Sequence, residues 1–132
     1  MLALIDSGSM ITTISESGYN SLEDKPEMKA ISSLEVSVAD GSTLPYLGYI
    51  ECSISVPLLC DQDIQVPLLV VPDNEFNVRC PVILGTNVIR VYADFVTGDV
   101  PEAWKLAVQS MKGSYTVRSL KKIPVLLKPF ES

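Results

Sequence analysis

Residues 44–56 alternate. Ile50, Cys52, Ile54 and Val56 fall on one side, and Glu51, Ser53 and Ser55 on the other. A period of two belongs to a strand with one face in a core and the other toward water. The same period runs through Leu34-Glu35-Val36-Ser37-Val38, and the intervening Ala39-Asp40-Gly41-Ser42 supplies an Asp-Gly turn, so the two runs read as a hairpin. Further strands are expected at 2–5, 10–14, 64–71 and 81–85. Pro45 and Pro67 suggest edges, and Gly85 cuts off the apolar Pro81-Val82-Ile83-Leu84. The fold class is therefore mostly β.

Helical signals are few. Ser15 is suited to cap a short helix over 16–22, weakened by Gly18. Residues 86–91 suit another. The best lies at 101–112, where Pro101 suits the first turn, Trp104, Ala107, Val108 and Met111 form one stripe, and Gly113 stops it. Beyond it, residues 115–120 and 123–127 read as two more strands.

Composition removes whole classes of chemistry. The chain of 132 residues is one domain by size. It contains no His, which excludes Ser/His/Asp and Cys/His nucleophiles, His-containing zinc sites and an imidazole switch. With 10 Lys+Arg against 16 Asp+Glu, the net charge of −6 argues against direct binding of nucleic acid. Cys52, Cys60 and Cys80 are odd in number and include no CxxC pair, so reduced thiols in a cytosolic setting are expected, with no metal. No apolar run is long enough to span a membrane.

The segment with chemical content is Ala3-Leu4-Ile5-Asp6-Ser7-Gly8-Ser9. An apolar strand delivers a carboxylate and turns at once. Gly8 lets another backbone approach, and Ser7 and Ser9 offer hydroxyls. Taken alone, Asp-Ser-Gly reads as a strand-ending Asx turn.

Together with two other segments it resembles the retropepsin-like aspartic proteases, particularly those of gypsy-type retrotransposons. Leu4-Ile5-Asp6-Ser7-Gly8-Ser9 is similar to the catalytic loop. Val38-Ala39-Asp40-Gly41-Ser42 with Leu47-Gly48-Tyr49-Ile50 is similar to the flap hairpin. Pro81 through Ile89 is similar to the segment that backs the active site and runs into a short helix. The resemblance spans residues 2–91. It implies a closed-barrel acid protease fold over 1–92, with 93–132 as a helical and β extension or a linker to a following polyprotein domain.

The resemblance further implies an aspartic endopeptidase that processes its own polyprotein and needs no cofactor. One Asp-Ser-Gly per chain implies a homodimer, with Asp6 from each subunit sharing a proton and activating a water. Ser7 would help lock the two loops together, and Gly8 would permit their approach. Asp40, Gly41, Ser42 and Thr43 would form the flap over an extended polypeptide. Leu44, Tyr46 and Ile83 are candidate pocket residues, and Ile83, Leu84 and Gly85 would back the site. The location implied is intracellular, in the cytoplasm or a retroelement particle.

This chain departs from the family in having only Met1 to Ile5 before Asp6, so further sequence of the fold is expected upstream. The alternative within the same fold is a catalytically silent dimerisation or peptide-binding module. An unrelated β domain would instead leave Asp6 on an exposed turn far from Ile83-Leu84-Gly85. Asp61-Gln62-Asp63 reads as a solvated turn, and Ser119-Leu120-Lys121-Lys122 as a coincidental match to a serine–lysine motif.

Overall fold

A computed structural model describes residues 1–30, 46–94, 100–111, 113, 115, 117–118 and 122–129. Its elements in chain order are β1 (Leu2–Ile5), β2 (Thr13–Ser15), α1 (Glu16–Asn20), β3 (Gly48–Ser55), β4 (Asp63–Val71), β5 (Val82–Leu84), α2 (Thr86–Ala93), α3 (Glu102–Ser110), β6 (Ile123–Pro124) and β7 (Leu126–Pro129). The strands form one sheet in the order β6-β1-β5-β2-β4-β3-β7.

The alternation in β3 is realised as expected. Ile50, Cys52, Ile54 and the following Val56 are fully buried, while Glu51 is exposed. β3 pairs antiparallel with β4 along its whole length, from Gly48↔Val70 to Ser55↔Asp63. Leu68 and Val70 of β4 are also fully buried. Each such side chain contributes about 1.5–3 kcal/mol by leaving water.

The sheet curls. β6 and β7 are separated in the chain by Val125 alone, yet β6 pairs with β1 and β7 with β3, at opposite ends of the strand order. Successive Cα atoms are only about 3.8 Å apart, so a flat sheet is impossible and the two ends must approach each other. The result is mostly β and barrel-like, with helices packed on it. Tyr92 of α2 and Trp104 of α3 meet edge to face at 6.4 Å inside the core. No helix among the described residues is long and apolar enough to cross a membrane.

Four expectations need correction. The strand foreseen at 10–14 is shorter and later, because Met10 and Ile11 belong to the loop that crosses the end of β5. Residues 123–127 are two pairings on two strands. The stretch 115–120 forms no strand among its described residues; it contributes one isolated bridge, Arg118↔Asp6. β4 is an interior strand despite Pro67. β2 pairs only with Leu69–Val71, so among the described residues no strand pairs with that flank of β4 at Pro67, where a missing N–H breaks no ladder bond.

Candidate functional site

β5 lies between β1 and β2. It runs parallel to β1 (Ala3↔Val82, Leu4↔Ile83, Ile5↔Leu84) and antiparallel to β2 (Thr13↔Ile83, Ile14↔Val82). The connection 6–12 must therefore pass over the C-terminal end of β5. The apolar β1 and β5 and the short, mixed β2 lie side by side because each needs neighbours to satisfy its backbone.

Gly85 is what lets that loop sit down. A Cβ there would stand 2.7 Å from both the Ile11 carbonyl carbon and the Ser9 carbonyl oxygen. The Thr86 N–H donates to the Ser9 carbonyl at 2.7 Å. Thr12, fully buried, accepts from the Gly85 N–H at 3.0 Å and donates to Asn87 Oδ1 at 2.8 Å. Asn87 Oδ1 also accepts from the Thr12 N–H at 3.0 Å. The loop and the start of α2 are thus joined by a network of buried hydrogen bonds.

Asp6 is buried at 8% exposure. Its N–H continues the ladder to the Leu84 carbonyl at 2.9 Å. Its Oδ1 accepts from the Gly8 N–H at 2.8 Å, which is the Asx turn read from the sequence. Its Oδ2 accepts two donors of one guanidinium, Arg118 Nε at 3.1 Å and Nη2 at 2.9 Å. Arg118 is itself stacked over the Phe76 ring at 5.2 Å. The turn that presents Phe76 is fixed by Asn74, whose Oδ1 accepts from the Phe76 and Asn77 N–H groups, and by Asn77, whose Oδ1 accepts from the Asn74 N–H.

Ser7 is held from the same side. Its N–H donates to the Val117 carbonyl at 2.9 Å, and its Oγ accepts from the Val117 N–H at 2.8 Å. The hydroxyls of Ser7 and Ser110 share a hydrogen bond of 2.7 Å, and Ser110 also reaches the Ala107 carbonyl one helical turn back.

The fold brings together Asp6, Ser7 and Gly8 with Ile83, Leu84 and Gly85. Leu84 is fully buried and Ile83 half-buried. Of the flap residues, Asp40, Gly41, Ser42, Thr43 and Leu44 lie outside the described residues. Tyr46 is half-buried just ahead of β3, and strand pairing does not bring it onto the loop. A groove of about 290 Å³, lined by Lys25, Pro26, Glu27, Lys29, Glu51 and Pro129, involves no residue of the loop.

Sequence reasoning did not foresee Ser110, Val117, Arg118, Phe76 or Thr12 at this site, and it placed Asn87 only within the 81–89 segment, without a role of its own. Among the former, Thr12 alone left a trace, as a polar residue in an apolar run. Comparison with protein-family models, with curated proteins and with solved structures returned no match.

Proposed function

We propose that this chain is an aspartic endopeptidase of the retropepsin kind, active as a homodimer in which two copies of Asp6 meet. The observation that carries the reading is the seating of Asp6. It lies buried at the end of β1, with Oδ1 fixed by the Gly8 N–H and its loop laid against Gly85. Oδ1 is positioned by the protein and Oδ2 is paired with the mostly exposed Arg118, so opening of that ion pair leaves a fixed carboxylate suited to exchanging a proton with water.

In the assembled pair, one carboxylate takes a proton from a trapped water as that water's oxygen bonds to the scissile carbonyl carbon. The protonated partner donates a hydrogen bond to the carbonyl oxygen. Collapse of the tetrahedral adduct breaks the C–N bond, and the captured proton goes to the leaving amine. The substrate is an extended polypeptide bound mainly through its backbone. The chemistry needs no metal or cofactor, and neither nucleic acid nor a membrane is a partner.

A second reading is a silent dimerisation or peptide-binding module. It is favoured by the ion pair with Arg118, which fills Asp6 Oδ2 from within the same chain. Cleavage of a peptide library at mildly acidic pH, beside an Asp6→Asn control, separates the two. Cleavage lost in the control supports the protease. Folded dimers without cleavage support the module.

A further inference from the structure

We infer that Ser110, Val117 and Arg118 form an intramolecular cap on the Asp6 loop, and that this cap competes with a second copy of the chain for the same atoms. The inference rests on the protease reading for its consequence, but its premise is geometric. Every polar atom of the Asp6 and Ser7 side chains is engaged within one chain: Asp6 Oδ1 by Gly8, Asp6 Oδ2 by two donors of Arg118, and Ser7 Oγ by Val117 and Ser110. A dimer that joins two such loops needs Asp6 Oδ2 and Ser7 Oγ free to face the partner. The capped chain and the paired loop are therefore mutually exclusive states of one site.

The cap is built to be reversible. Its inner end is firm, because Ser110 is buried at 3% exposure and closes α3, which packs on α2 and β1. Its outer end is loose. The Arg118 side chain is 57% exposed, and the Phe76 ring that supports it is 43% exposed. A half-solvated ion pair and a cation–π contact at the surface are both weak attachments. Val117 completes the attachment, its N–H donating to Ser7 Oγ and its carbonyl accepting from the Ser7 N–H. Such a contact holds an isolated chain and yields when a second loop offers better partners. The two states divide according to chain concentration.

The test uses the full chain and four forms of it: unmodified, Arg118→Ala, Val117→Pro, which removes the N–H that holds Ser7 Oγ, and Arg118→Ala combined with Asp6→Asn. Circular dichroism establishes that each is folded. Sedimentation velocity over a concentration series gives the dimer constant, and a peptide library gives the cleavage rate.

Losing a charge-assisted hydrogen bond from the capped state is expected to tighten the dimer about tenfold in Arg118→Ala. Val117→Pro should act in the same direction. Cleavage should rise in step at concentrations below the unmodified dimer constant, and the double variant should dimerise without cleaving. Tighter dimers with no cleavage from any form would keep the cap and remove the protease reading. Folded single variants whose dimer constants equal that of the unmodified chain would overturn the cap. The unmodified chain and its Asp6→Asn control would then decide the protease reading separately.

Discussion

The backbone of Ile11 passes so close to Gly85 that any side chain at position 85 would meet its carbonyl carbon at 2.7 Å. Neither neighbour is a side chain that can rotate away. Gly85→Ala is therefore expected to lift the 6–12 loop off the end of β5 and to cost about 2–3 kcal/mol. Gly113→Ala is the control. A Cβ there meets the half-exposed Tyr115 ring at 3.0 Å and the Gln109 carbonyl oxygen at an ordinary 3.9 Å, and should cost less than about 0.5 kcal/mol. Urea unfolding of the two variants measures the difference, and equal midpoints would show that the loop does not rest on Gly85.

Thr12→Val probes the same junction from inside. The substitution keeps the shape and removes the hydroxyl that accepts from the Gly85 N–H and donates to Asn87 Oδ1. The Gly85 N–H is then buried without an acceptor, at a cost of about 1–3 kcal/mol. A denaturation midpoint unchanged from the parent would mean that water replaces the hydroxyl.

Asp6→Asn should separate stability from chemistry. The amide oxygen still accepts from the Gly8 N–H, and what is lost is the charge pair with a mostly exposed Arg118. The change in stability should stay within about 1 kcal/mol, while on the proposed protease reading peptide cleavage disappears. Residual cleavage by the purified variant would assign the activity elsewhere.

Alkaline pH should weaken the fold through two buried acids on the core side of β3 and α2. Burial pushes the Cys52 thiol from its ordinary 9.0 up to about 11. Burial likewise pushes the Tyr92 phenol from 10.0 up to about 12, with its hydroxyl directed at the Ile54 and Gln62 carbonyls. The unfolded chain releases these protons first. Their contribution is whole below about pH 9 and is lost as pH rises through 9 to 12. Urea titrations at pH 8, 9.5 and 10.5 should show that decline. Cys52→Ala with Tyr92→Phe should flatten it, and an unchanged slope in that double variant would exonerate both groups.

The sequence was legible where local pattern and packing agree. Ile50, Cys52, Ile54 and Val56 were readable as a buried face because strand period and hydrophobicity coincide there. The runs ending at Ile5 and at Leu84 were readable as strands for a similar reason, and their adjacency followed only from the family resemblance of the segments. Ser15 as the cap of α1 was equally plain, and its Oγ accepts from the Gly18 N–H at 3.1 Å. Arg118 was not legible. Its partner lies 112 positions earlier, and nothing local distinguishes it from any exposed arginine. The stretch 115–120 suggests a strand, yet Val117 and Arg118 pair with the Asp6 loop. The division of 123–129 between two edges was hidden for the same reason: a short apolar run states that it will pair, not with what.

The segment that joins both edges of the sheet also sets a timetable. Leu2 pairs with Pro124, so the outer edge of β1 leaves the ribosome roughly 120 residues ahead of its partner, a wait on the order of ten seconds at ordinary translation speeds. Throughout that interval a short apolar strand carries an open row of donors and acceptors. Nascent copies of this chain are thus most vulnerable to pairing with one another while β6 is still unmade, and slowing translation just ahead of the codons for β6 would lengthen that exposure.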